Sequence, residues 1–247
     1  MWEGDYMDHF SVLNYQGSKK NLLEFIHQNA ASYIEPDSTL LDIFAGTCSV
    51  GYSYKRDYTI YANDSELYSY IISTALLGTY KEDPQKILMQ VDDYFFSNIS
   101  KFSEGIIEQQ LQEKTLLSDL DNCSDLIEFY EELPTVWNHE IPFIKNHNNF
   151  ELFTTYYSSS YFGLNQSIEI DSIRYAIEQF KSTYLFFPLL TSLFFAMKEC
   201  VFSKDGHMAQ PLNLKDNVYE YTVKVKEDIE ELDLKPIVKD EKYKVEI

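Results

Sequence analysis

A glycine turn between two acidic residues is the part of this chain whose residue types could do chemistry. Leu-Leu-Asp-Ile-Phe-Ala-Gly-Thr-Cys-Ser-Val-Gly fills positions 40–51, and Thr-Ile-Tyr-Ala-Asn-Asp follows at 59–64. The apolar run Leu40, Leu41, Ile43 and Phe44 reads as a buried strand, the small residues Ala45 to Gly51 as a turn, and Thr59 to Ala62 as a second strand. A glycine turn after the first strand lets backbone N–H groups come close to a ligand. An acid about twenty residues further on, at the tip of the second strand, can accept both hydroxyls of a ribose, and Asp64 holds that place. The same residues also suit an ordinary strand–helix corner that ends on a solvated aspartate.

The elements that must position this turn follow from its flanks. Pro36-Asp37-Ser38 makes the turn into the first strand, and residues 65–80 repeat apolar side chains at helical spacing until Gly78. The resulting order of strand, helix, strand, helix predicts an α/β fold that begins a doubly wound sheet. Upstream, Tyr15-Gln16-Gly17-Ser18-Lys19-Lys20 leads into a segment in which Leu22, Leu23, Phe25 and Ile26 give one apolar face. Gly17 and Ser18 are expected to open that helix, so that its free N–H groups and Lys19 either face an anion or simply cap a surface helix.

With 247 residues, 45% of them hydrophobic and 16% aromatic, the chain has the material for a packed core. Asp and Glu number 40 against 20 Lys and Arg, and the formal charge of −20 repels a phosphate backbone, so a role on DNA calls for a local basic patch or a basic partner. Cys48, Cys123 and Cys200 are too scattered for ligand spacing and read as free thiols of a reducing compartment; His139 and His147 do not share a helical turn, and no metal is expected. No apolar run is long enough to span a bilayer and no signal pattern opens the chain, so the expectation is a cytoplasmic protein without a membrane partner.

Three parts are expected: 1–80 as the α/β part, 81–212 as a mainly helical inserted subdomain, and 213–247 as a charged segment that could dock a partner. In the second part, the stretch Tyr156 to Gln166 offers hydroxyls and rings, and Tyr157, Ser159, Tyr161 and Gln166 are the candidate DNA contacts, with plain packing as the other reading. Ile168, Ile170, Ile173 and Ile177 mark the inward face of the next helix, on which Asp171 and Arg174 are spaced for an ion pair. Residues 184–202 read as a pair of apolar helices around Pro188. Alternating valines beyond Asp216 read as a strand.

Four segments taken together resemble the Dam-like N6-adenine DNA methyltransferases. YQGSKKNLLEFI resembles the family's Tyr-x-Gly-Gly-Lys entry, DIFAGTCSVG its Asp-x-Phe-Ala-Gly-x-Gly-Ser-Val-Gly cofactor loop, and YAND its ribose-binding strand end, while YYSSSYFGLNQSIEIDSIRYAIEQ with GHMAQP looks like the middle region of a subgroup. The resemblance implies a Rossmann-like sheet that binds S-adenosyl-L-methionine and transfer of its methyl group to the exocyclic nitrogen of an adenine turned out of double-stranded DNA. By this similarity Tyr15, Gly17, Ser18 and Lys19 lie against the methionine end of the cofactor. Asp42, Phe44, Ala45, Gly46 and Ser49 form the loop beneath it, and Asn63 and Asp64 close the strand that holds the ribose.

Two departures bear on activity. Cys48 stands where the family's loop has its second glycine, and its side chain is expected to crowd the approach of the cofactor. The family's Asp/Asn-Pro-Pro-Tyr catalytic segment is missing: none of the seven prolines follows another. No catalytic residue is therefore expected in this chain. The expectation is the cofactor-binding subunit of a split, heterodimeric adenine methyltransferase, whose partner completes the sheet, brings the catalytic segment and carries the positive charge for DNA. A non-catalytic methyltransferase-like binding or regulatory protein, or a truncated enzyme, are the other readings.

Overall fold

The computed structural model describes residues 12–14, 17–118, 123–140, 150–207 and 210–226. Tyr15, His147 and the charged tail beyond residue 226 lie outside the described residues. The described chain divides into two compact units, one of residues 12–84 and 183–195, the other of residues 85–182 and 196–226.

In the first unit a 3₁₀ turn, Lys20–Leu22, runs into helix α1, Leu23–Ala30. The helix thus starts later than Gly17 and Ser18, and the apolar face expected of it is only partly covered: Leu23 and Ile26 are half-buried, whereas Leu22 and Phe25 are exposed. Strands β1 (Thr39–Asp42) and β2 (Thr59–Ala62) pair in parallel, with Leu40 opposite Ile60 and Leu41 opposite Tyr61. Helix α2 (Ser49–Tyr54) connects them and α3 (Leu67–Leu77) follows, so the β-α-β-α order stands as read. Ile60 faces α2, where a Cβ on Gly51 would sit 3.1 Å from the Ile60 Cγ2. Glycine lets the helix lie that close to the sheet. Successive side chains of a strand point to opposite faces, and the other face is bare: Leu41 is 61% exposed and Tyr61 62%. The strand expected to be buried is therefore covered on one side only.

Behind the covered face, His27 of α1 stacks on Tyr54 of α2 at 4.1 Å, its Nε2 3.0 Å from the Ser53 hydroxyl. Helix α3 turns Ser69, Ile72, Ser73 and Leu76 inward, the i, i+3, i+4, i+7 spacing of one helical face. Residues 186–200 form one helix, α8 (Phe186–Cys200), instead of a pair, because Pro188 sits in its first turn, where a missing N–H costs no intrahelical bond. Its first part, as far as Phe195, belongs to this unit, and there Phe187 meets the Tyr70 ring edge-on at 5.3 Å.

The second unit is helical. Helix α4 (Pro84–Ser118) breaks its helical geometry at Ile106, and α5 (Cys123–Glu140), α6 (Leu152–Tyr156), α7 (Leu164–Glu178), the end of α8 and α9 (Val218–Val225) follow. Ile106, Phe129, Leu133, Leu164, Ile168, Phe202 and Tyr221 share its core. The strand expected beyond Asp216 is the helix α9: Val218, Tyr221, Thr222 and Val225 repeat at helical spacing, and the last three are buried, so the 3.6-residue period prevails over the short valine alternation.

A fully buried carboxylate, Glu113 of α4, fixes the start of α7 by accepting the backbone N–H groups of Leu164 at 2.5 Å and Asn165 at 2.8 Å, together with the Tyr130 hydroxyl and the Asn165 amide. Gly163 leaves room for this arrangement, since a Cβ there would collide with Val225 and with Glu113 itself. The ion pair expected between Asp171 and Arg174 does not form. Arg174 pairs with Glu178 at 2.8 Å, and buried Asp171 accepts the N–H groups of Phe153 at 3.1 Å and Thr154 at 2.8 Å, capping the start of α6. Among the described residues no helix is long and apolar enough to cross a membrane, and no three His, Cys, Asp or Glu side chains gather as metal ligands.

Candidate functional site

Beyond the paired ends of β1 and β2 the chain forms a turn that is held by the residues just past β2. The Asn63 N–H donates to the Asp42 carbonyl at 2.8 Å, and the Asn63 side-chain amide donates to the Ile43 carbonyl at 2.9 Å. In return the Ala45 N–H donates to the Asn63 carbonyl at 3.0 Å. One oxygen of the Asp64 carboxylate accepts the Gly46 N–H at 2.8 Å and the other the Glu66 N–H at 3.1 Å. Gly46 adopts φ +54°, a left-handed conformation open to glycine, and the four residues Ala45 to Cys48 are buried.

Cys48 departs from its expected effect. Its φ is +60°, where glycine is normally found, yet its side chain is fully buried and faces the Ser73 hydroxyl of α3. The thiol therefore fills the interior instead of crowding a ligand, and the cost falls on the backbone, about 1 kcal/mol for a left-handed residue that carries a Cβ. Burial pushes the thiol up to about 11, so it is an inert packing group.

The electrostatics of the turn are set by two carboxylates and a lysine. Burial raises the pKa of half-buried Asp42, and the neighbouring Asp64 adds to the rise; hydrogen bonds from the Gly51 and Phe44 backbone and the charge of Lys19 oppose it. Asp64 is held below the ordinary carboxylate value, first by the Gly46 N–H and then by the Glu66 N–H. Lys19 donates to the Gly17 carbonyl at 2.7 Å, and Gly17 has φ +91°. Phe44 presents its ring to solvent, 86% exposed.

Of the residues singled out in the sequence, Lys19, Asp42, Gly46, Asn63 and Asp64 thus meet around one turn. Ala45 contributes its backbone, the Ser49 hydroxyl lies 3.3 Å from that of Thr47, and the Ser18 hydroxyl accepts the Lys20 N–H at 3.4 Å. Sequence reading missed Glu66, whose N–H takes the second Asp64 oxygen. An aspartate two residues before a helix's N-cap is a turn former, and that signal was available. It also missed Ser73, for which only the packing of α3 on α2 gives notice.

The candidate DNA contacts lie in the second unit, on a tight turn in which the Tyr157 carbonyl accepts the N–H groups of Tyr161 and Phe162, both at 3.2 Å, and Ser159 has φ +70°. The Tyr157 and Tyr161 rings are 5.7 Å apart and partly exposed. Gln166 is buried: its carbonyl oxygen accepts the Gly163 N–H at 3.1 Å and its amide donates to the Lys224 carbonyl at 2.8 Å, so its polar atoms serve the start of α7.

Comparison with known proteins bears on both units. The family described as D12 class N6 adenine-specific DNA methyltransferase matches residues 15–219. The chain is similar to Modification methylase LlaI of Lactococcus lactis subsp. lactis, 43% identical over 65 residues that make up 26% of this chain and 10% of that protein. It is also similar to Type II methyltransferase M.FokI of Planomicrobium okeanokoites, 38% identical over 64 residues, again 26% of this chain and 10% of the relative. The shared stretch is thus about a tenth of either relative's length. No solved structure shows a significant match. The family match takes in the turn at Gly46 as well as the tyrosine–serine turn of the second unit, and extends over most of the chain, which belongs to the D12 class N6 adenine-specific DNA methyltransferase family.

Proposed function

We propose that this chain is the S-adenosyl-L-methionine-binding subunit of a split, heterodimeric adenine-specific DNA methyltransferase, and that a partner chain supplies the Asp/Asn-Pro-Pro-Tyr segment. The observation that carries this reading is the hydrogen-bonded turn at Gly46 beside a sheet face whose side chains are exposed. Parallel sheets are covered on both faces almost without exception, and the two strands found among the described residues are too few to stand alone. In this chain one face, with Leu41 and Tyr61, is exposed next to Phe44, which suits a partner that adds strands and a covering layer. No Pro-Pro occurs in the 247 residues.

The donor set suits this cofactor. Bound, it supplies an electrophilic methyl group on a sulfonium, and it carries a second positive charge on its amino group. Asp42 and Asp64 make the turn an acidic place where cationic and hydroxylic donors are welcome, and Lys19 offers the complementary charge that a carboxylate needs. Gly17, Ser18 and Lys19 would lie against the methionine end, with Ser49 on the floor beside Gly46 and with Asn63 and Asp64 at the ribose. The exposed Phe44 ring is available to an adenine face. A charge of −20 keeps DNA away from most of this surface, so the partner would carry the basic groups, be guided to this chain by opposite charge, and hold the duplex while Tyr157, Ser159 and Tyr161 touch it.

Methyl-tritiated S-adenosyl-L-methionine incubated with adenine-containing duplex DNA tests the assignment. The chain alone is expected to transfer no label, and the complex purified with a Pro-Pro-Tyr-bearing chain is expected to label adenine. Transfer by the chain alone overturns the split arrangement. Cofactor binding without transfer in any such complex favours a non-catalytic binding protein instead.

A further inference from the structure

We propose, resting on the cofactor role above, that Asp64 is a positioning residue that fixes the shape of the Gly46 turn before the cofactor arrives, in addition to meeting the ribose. A carboxylate has about four acceptor positions on its two oxygens. Backbone donors occupy one on each, the Gly46 N–H at 2.8 Å and the Glu66 N–H at 3.1 Å. The side chain therefore ties the turn after β1 to the start of α3, across the ends of both strands, with the Ser65 N–H as a weaker third backbone donor, and its remaining acceptor capacity is left for a diol. The tie is made to a residue at φ +54°, two positions before Cys48 at φ +60°, where the backbone has conformational alternatives to lose. Removing Asp64 should then act twice, once through the missing ribose contact and once through a turn that relaxes.

Two ligands separate these effects: S-adenosylhomocysteine and its 2′,3′-dideoxy counterpart, each titrated into the wild type and Asp64→Ala by calorimetry. A residue that only holds the ribose leaves the affinity for the dideoxy compound unchanged when it is replaced. The positioning role predicts that Asp64→Ala weakens the dideoxy compound as well, by about tenfold, the scale of one charge-assisted hydrogen bond. In the absence of ligand, amide exchange should show Gly46 protected in the wild type and exchanging about tenfold faster in Asp64→Ala, while the Asn63 amide, bonded to the Asp42 carbonyl, keeps its protection and reports an intact fold. Equal dideoxy affinity in the two proteins, or an unprotected Gly46 amide in the wild type, overturns the proposal. Should neither nucleoside bind the wild type, the cofactor role fails, and Gly46 exchange decides the positioning role by itself.

Discussion

Cys48 holds a backbone conformation that glycine adopts freely and every other residue at a cost, yet its thiol is packed against α3. The two facts predict an order of stability that helix propensity would reverse. Cys48→Gly and Cys48→Ala both lose the buried sulfur, but only glycine relieves the left-handed strain, so Cys48→Gly should be more stable than Cys48→Ala by about 1 kcal/mol in urea unfolding. Alanine proving the more stable would mean that the turn does not hold the conformation described. That a cysteine stands where the resembled family's loop has a glycine was readable through the resemblance of DIFAGTCSVG to that loop. Which way its side chain points was not, since that depends on where α3 lies, and a turn of small residues gives no sign of it. Asp64 was legible as an acid at a strand tip, whereas its hold on Gly46 emerges only when the two strand ends are brought together.

At the level of elements, regular spacing was readable where a helix buries one stripe. Helices α3 and α7 follow their apolar repeats, with Ile168, Ile170, Ile173 and Ile177 all buried on α7. Structure and sequence pattern part where a local feature competes with that repeat: Pro188 suggests a break although it lies in a first turn, and three alternating residues, Val223 to Val225, conceal the helical spacing of α9. Asp171 reads as the partner of its helical neighbour because sequence shows only local distances, while α6 is the element it caps. Burial pushes this carboxyl up to about 7. A carboxyl whose folded pKa is raised above its unfolded value stabilises the fold fully below about pH 4, and loses that contribution as pH rises through about 7. The stability penalty of Asp171→Asn, measured by urea midpoints, should therefore shrink between about pH 5.5 and pH 8. A penalty that stays constant or grows over this range would contradict burial as the cause of the raised pKa.

For the molecule as a whole, the described residues fall into a unit with the β-α-β-α order and the Gly46 turn, which also takes in residues 183–195, and a helical unit with the tyrosine–serine turn. The parallel order of β1 and β2 was legible from the spacing of apolar runs and glycines. The bare face was not, because an apolar strand reads as buried whether its cover lies in the same 247 residues or elsewhere; Leu41 and Tyr61 look the same in either case. Charge could be read directly, and under the proposed function a balance of −20 suits holding a cationic cofactor better than holding DNA. Under the proposed function the chain holds the methyl donor by itself. Calorimetric titration of S-adenosyl-L-methionine into the purified chain tests it most directly, with Asp42→Asn as the control on the same turn. A saturable one-to-one binding heat, weakened about tenfold in Asp42→Asn, is the predicted result; a folded chain that gives no saturable heat at about millimolar cofactor would contradict it.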